Sequence, residues 1–143
     1  MRICDPFPNL SEDELLAIVT ADWSRNYQTS GHTREELLKA LQEWRADGLP
    51  IGYHKGVIFI ARQVAPGEVE FHSMNGASLR VLLEGTRRML RDFREQGVRV
   101  AGTYFSNFRV SDLAKFLGFP YVTDFSPLRP EERKFCTTFL LGN

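Results

Sequence analysis

Apolar positions recur at two different periods along this chain, and the change of period orders its elements. Leu15, Leu16, Ile18 and Val19 lie on a stripe of helical spacing. Ser11 and Glu14 stand ahead of it at capping-box spacing, where two side chains satisfy orphan backbone donors reciprocally. Thr33 and Glu36 repeat that spacing before Leu37, Leu38, Leu41 and Trp44, and Asp47-Gly48 ends this second helix. Residues 22–32 between the helices are polar and irregular, which predicts a loop carrying Trp23, Tyr27 and Gly31. Residues 2–4 predict a short first strand, stopped by Asp5-Pro6 and Pro8. Beyond the second helix the period shortens. Residues 51–54, 57–62 and 69–74 read as strands, separated by turn signals at Lys55-Gly56 and Ala65-Pro66-Gly67-Glu68.

Helical spacing returns at Leu79 and continues through Leu82, Leu83, Met89, Leu90 and Phe93. Arg80, Arg87, Arg88, Arg91 and Arg94 take the other faces of this longest helix, which should end at Gly97. Residues 98–105 form a β-rich run, and a shorter helix over 110–117 stops at Gly118. Residues 121–125 and 135–141 read as two last strands, with Pro127 and Pro130 between them. The order is β-α-α-β-β-β-α-β-α-β-β. Antiparallel meanders interrupted by helical crossovers predict an α+β domain with a mixed, mostly antiparallel twisted sheet and about four flanking helices. Nothing reads as a linker, so residues 1–143 are expected to form one domain.

Composition narrows the function. A chain of 143 residues buries roughly 70% of its unfolded surface and needs no covalent staple. Eighteen basic and eighteen acidic residues give a formal net charge of +0. A dedicated nucleic-acid binder gains its affinity by neutralising phosphates, so that role is not expected. Cys4 and Cys136 make neither a disulfide framework nor a metal set, so no metal is expected and a reducing, cytoplasmic setting fits. No stretch approaches the ~18 apolar residues of a membrane span, and MRICDPFPNL does not read as a signal peptide.

The element order, together with Asn107-Phe108-Arg109-Val110, Ala114 and Gly118-Phe119, resembles the GNAT acyl-CoA N-acyltransferases. In that family the fifth strand is followed by an Asn and a short helix closing in Gly-Phe. The Asn, Gly and Phe match at the family's spacing, with Val110 where a small residue is usual. The resemblance covers residues 1–143 by element order and 98–126 by motif. It implies the GNAT fold, with the fourth and fifth strands splaying apart, and acetyl transfer from acetyl-CoA to an amine acceptor.

The same resemblance assigns a site. Met74, Asn75, Gly76, Ala77, Ser78 and Arg80 stand where the family holds the coenzyme A phosphates on backbone N–H groups at a helix start. The family's Q/R-x-x-G-x-G/A pattern is absent, and the loop is short. Asn75-Gly76 also reads as an ordinary turn, with Ser78 as an N-cap. Ala114 occupies the position of the family's Tyr, which protonates the departing thiolate, and alanine cannot do so. Tyr104 and Tyr121 are the nearby substitutes, with Tyr104 and Asn107 counted among the catalytic candidates. Glu70 and His72 alternate on one strand face and are the candidate bases, or ordinary polar residues of an exposed face. Trp23 and Tyr27 are expected to shape the acceptor pocket. His32 and His54 are expected to be structural or solvent-facing, and the arginines of the long helix to form a solvated face or a phosphate or partner site.

Two readings remain open from the sequence. One is an acyl-CoA-dependent N-acyltransferase. The other is a non-catalytic member of the fold acting by protein contacts, since the chain is also similar to small GNAT-like proteins of tailed phages, including an internal virion protein family. That likeness places it in a host cytoplasm or a virion.

Overall fold

The computed structural model describes residues 1–27, 31–105, 112–125 and 135–142. Strand β1 (Asp5–Pro6) precedes helices α1 (Glu12–Asn26) and α2 (Arg34–Ala46). Strands β2 (Ile51–His54), β3 (Val57–Ala65) and β4 (Glu68–Asn75) follow, then helix α3 (Leu79–Glu95) and strand β5 (Val100–Phe105). A 3-10 helix (Asp112–Phe116) and strands β6 (Tyr121–Phe125) and β7 (Phe135–Leu140) complete the order. The strands form one sheet in the order β1-β2-β3-β4-β5-β7-β6. Every neighbouring pair is antiparallel except β4–β5.

Local chemistry sets the helix starts. At α1 the capping box closes from both sides, with the Glu14 N–H donating to Ser11 Oγ at 3.1 Å and the Ser11 N–H to Glu14 Oε1 at 3.3 Å. Thr33 caps α2 and Ser78 caps α3 from one side only, accepting the N–H of Glu36 and of Val81. Residues 57–61 of β3 are all buried because helices cover both faces of the sheet there. Val57, Phe59 and Ala61 pack toward α3 with Phe71, Met89 and Phe93, whereas Ile58, Ile60 and Met74 pack toward α1 and α2 with Leu15, Ile18, Val19 and Leu41.

The structure differs from the sequence reading in three places. The segment expected as a loop from residue 22 is helical up to Asn26, so Trp23 lies in α1 and Tyr27 is its C-cap. The buried stripe Leu15, Ile18, Val19 continues one step further as Asp22, whose carboxylate accepts the Asn75 N–H at 3.1 Å. A polar residue thus holds a core position because it has a buried partner. The first strand is Asp5–Pro6 rather than residues 2–4. Cys4 is left-handed (φ 52°), and its N–H bonds Asp92 Oδ2 at 2.8 Å. The short helix near its Gly118 stop is a 3-10 turn, and Gly118 takes the left-handed φ of 80° expected of a C-cap.

β4 and β5 pair over one short stretch, Glu68 with Val100, Val69 with Ala101 and Glu70 with Gly102. Beyond it β4 stays on β3 as far as Asn75, and β5 stays on β7 as far as Phe105. The two strands therefore part in mid-sheet. At the end of β4, α1 supplies what a neighbouring strand would have supplied. Asp22 takes the Asn75 N–H, and Arg25 Nη1 donates to the Asn75 carbonyl at 2.8 Å.

Helix α3 lies on β2 and β3 through Gly85. A Cβ at this position would come within 2.9 Å of His54 Cδ2 and 3.0 Å of the Phe59 ring. Alanine gains about 1 kcal/mol in helix propensity. Overpacking against the fully buried Phe59 costs about 1–3 kcal/mol. Gly85→Ala should therefore lower stability by up to roughly 2 kcal/mol in urea unfolding; a more stable variant would show that α3 stands further from the sheet.

Candidate active site

A cavity of about 530 Å³ occupies the gap where β4 and β5 part. From the α3 side it is lined by Leu79, Leu82, Leu83 and Thr86, one face of that helix. From the α1 side it is lined by Asp22, Arg25, Asn26 and Tyr27. The opening thus passes through the sheet and joins its two faces. Asn75 directs its N–H and carbonyl away from β3, onto Asp22 and Arg25, and alternation along the strand sets the same groups of Ser73 on that edge, beyond the last pairing with β5. The edge of β4 therefore offers the main-chain groups of Ser73 to anything lodged in the gap.

His72 and Tyr104 also line the cavity. Glu70 is level with Gly102 in the register, so alternation sets Glu70, His72 and Tyr104 on one face, that of α1 and α2. Arg62 Nη2 donates to Glu70 Oε2 at 2.7 Å, and His72 Nε2 lies 3.2 Å from Glu70 Oε1. Burial pushes the Glu70 carboxyl up, but its bond to Arg62 and the attraction of His72 and Arg62 outweigh this and hold it below the usual carboxylate range. An ionised carboxylate accepts, so His72 Nε2 carries the proton of the neutral ring and Nδ1 is its basic nitrogen. Glu70 itself stands at the closed end of the gap, one step behind His72.

The sequence-assigned residues divide accordingly. His72, Tyr104, Tyr27 and Asn75 meet in the cavity, whereas Glu70, Met74, Gly76, Ala77, Ser78, Arg80 and Trp23 do not line it. Asn107 lies outside the described residues. Trp23 Nε1 donates to the His32 carbonyl at 2.7 Å, tying α1 to the start of α2. Burial, and then the nearby charge of Asp22, raise the Tyr27 phenol above its ordinary value. Ala114 is buried and lines the cavity wall. Sequence reasoning missed Asp22, Arg25 and Thr103. The available signal for Asp22 was its place at the next step of the α1 stripe.

The segment after β4 uses its own N–H groups. Gly76 N–H donates to the Gly56 carbonyl at 3.0 Å, Ala77 N–H to Asn75 Oδ1 at 2.8 Å, and Val81 N–H to Ser78 Oγ at 3.3 Å. A Cβ on Gly76 would meet Ile18 Cγ1 at 2.8 Å, so the turn is pressed onto α1. With the Asn75 N–H on Asp22, these donors are directed within the protein rather than toward a phosphate. Arg80 is exposed in the first turn of α3. Further along that helix Arg87 bonds the Phe116 carbonyl, and Arg94 lies 5.2 Å from the Phe119 ring centre.

His54 is structural. It is buried, donates from Nε2 to Glu84 at 3.1 Å, and accepts from Arg88 on Nδ1 at 3.4 Å. Burial lifts the Cys4 thiol to about 12, which keeps it protonated and inert. Among the described residues no group of His, Cys, Asp and Glu is placed to hold a metal ion, and no helix is long and apolar enough to cross a membrane.

No family model matches the chain. No curated protein matches it in sequence either. Solved structures do match. The chain is similar to the ribosomal-protein-alanine N-acetyltransferase of Brucella melitensis at 14% identity and a TM-score of 0.60, covering 94% of this chain and 98% of that one. It is similar to a probable acetyltransferase of the GNAT family from Chromobacterium violaceum at 16% identity and 0.59, covering 88% and 78%. A putative acetyltransferase from Salmonella typhimurium, solved with its cofactor acetyl-CoA, matches at 11% identity and 0.51, covering 87% of each chain. Helix order, the broken β4–β5 pairing and these likenesses agree, and the chain has the fold of the GNAT acetyltransferases.

Proposed function

We propose that this protein transfers an acyl group from a thioester to an amine, with the donor arm in the gap between β4 and β5. The observation that carries the reading is the cavity running through the sheet at that break, which gives donor and acceptor access from opposite faces. The gap fits a pantetheine arm, since it is lined by leucines on one side and by an unpaired strand edge on the other. The Asn75, Gly76 and Ala77 N–H groups do not cradle the diphosphate of coenzyme A, because each is bonded internally.

On this reading His72 takes the proton of the attacking amine on Nδ1, with Glu70 fixing the ring and stabilising the charge it gains. The nitrogen–carbon bond forms as the carbon–sulfur bond breaks. A main-chain N–H on the β4 edge polarises the acyl carbonyl, and the Tyr104 phenol returns a proton to the departing thiolate. Tyr27 borders the acceptor half of the cavity.

The test is a thermal-shift titration with acetyl-CoA and with acetyl-pantetheine, followed by mass measurement of an acetylated amine. A ligand at a hundredfold excess over its Kd stabilises by about 2.7 kcal/mol. Both donors should raise Tm, with affinities within roughly tenfold, about 1.4 kcal/mol, of each other. Absence of a shift with either donor removes the reading. The internally bonded loop and Ala114 favour a second one, a GNAT-fold accessory protein, such as a phage virion component, that acts by protein contacts. Stable co-assembly with a large particle and no acetylated product would support it.

A further inference from the structure

Among the described residues, one oxygen of a buried carboxylate has no hydrogen-bond donor. Asp22 is 2% exposed and lines the cavity. Both of its hydrogen bonds fall on Oδ1, from the Asn75 N–H at 3.1 Å and from Asn26 Nδ2 at 3.0 Å. Among the described residues nothing donates to Oδ2. Arg25, one turn on, places its guanidinium on the Asn75 carbonyl instead, although its charge still acts on Asp22. Burial pushes the Asp22 carboxyl above the usual range despite these neighbours. A buried charge with a bare oxygen is unfavourable unless a ligand completes it.

We infer that Asp22 anchors a second, cationic nitrogen of the acceptor, so that the acceptor class is a diamine rather than a monoamine. The inference rests on the acyl-transfer reading and adds the acceptor's chemistry to it. Asp22 projects from α1, so it approaches from the face that His72 shares, opposite α3. A carboxylate there also repels the phosphates of a donor, which places it with the acceptor. Its bond to Asn75 fixes it three residues along β4 from His72, roughly 10 Å at the rise of a strand. Subtracting a hydrogen bond of ~2.9 Å at each end leaves a span on the order of 5 Å between the two nitrogens, the reach of a short methylene chain. Charge-assisted bonds of this kind are the stronger class.

Calorimetric titration of the whole chain with diaminobutane and with butylamine, and no thioester present, tests the anchor directly. The wild type should bind the diamine at least about tenfold more tightly than the monoamine. Asp22→Asn keeps an oxygen for the Asn75 N–H and removes the charge, and it should bind the two amines alike. Equal binding by the wild type overturns the inference whether or not the variant folds. A diamine preference that survives in a folded Asp22→Asn overturns it too. Acetyl transfer to butylamine is assayed separately. Its failure alongside intact diamine selectivity would remove the acyl-transfer reading and leave the cation site standing.

Discussion

Replacing His72 with alanine should lower the turnover of acetyl transfer by about 10²–10⁴-fold, the usual contribution of a positioned base. His72 lines the cavity, shares the face of the acceptor side and carries a nitrogen that is basic near neutral pH. Its Nε2 is held by Glu70, whose carboxyl lies below the usual range and so is ionised at neutral pH. The ring is therefore held in one tautomer with Nδ1 as the base. On the acyl-transfer reading the donor arm lies along β4 and α3, so the donor KM should hardly move while kcat falls. Glu70→Gln should lower kcat less, since glutamine still accepts the Nε2 proton but no longer stabilises the imidazolium. Glu70 is a positioning residue on this account. Release of thiol, followed spectroscopically at saturating donor, measures both variants. Unchanged turnover in His72→Ala would take the base away from this strand.

The parts of this fold legible in the sequence were those set by neighbours in the chain. Ser11 and Glu14 announce the start of α1, and Gly118 announces the end of the 3-10 helix through its left-handed backbone. The alternation that brings Glu70 and His72 to one face is a property of any strand. What stayed hidden depends on partners distant in the chain. The last turns of α1 read as loop because Asp22 replaces an apolar residue, and only Asn75, fifty-three residues away, makes that replacement acceptable. The loop after β4 read as a candidate phosphate cradle. It also read as a turn with Ser78 as N-cap, which it is, but the distant partners of the Asn75 and Gly76 N–H groups, Asp22 and Gly56, are revealed by no spacing rule. The partial β4–β5 pairing is likewise a non-local fact. The family resemblance implied it, and no residue of either strand shows on its own where pairing stops.

Phe93→Ala should cost about 3–5 kcal/mol of stability, a large share of the roughly 5–15 kcal/mol of an ordinary domain. Phe93 is fully buried on the sheet side of α3, with its ring centre 6.5 Å from that of Phe71. Its main-chain carbonyl also receives the Val98 N–H at 2.9 Å, so the residue ties the end of α3 to the approach of β5. Alanine leaves a void that rigid neighbours fill only in part, and the lost contacts add to the lost burial. Tm should fall by roughly 10 °C or more at this chain length. The site should feel the change as well. Phe71 lines the cavity and packs at 6.2 Å against Phe139, which lines it from the far side of the break. Removing the ring behind Phe71 loosens the wall between the parted strands, so donor affinity should weaken even at temperatures where the variant is folded. Val122→Ala, at a position 56% exposed on β6, is the control and should stay within about 0.5 kcal/mol of the parent. Urea unfolding of both variants decides the matter. A loss below about 1 kcal/mol for Phe93→Ala would mean that α3 does not form the wall of the gap on which the acyl-transfer reading depends.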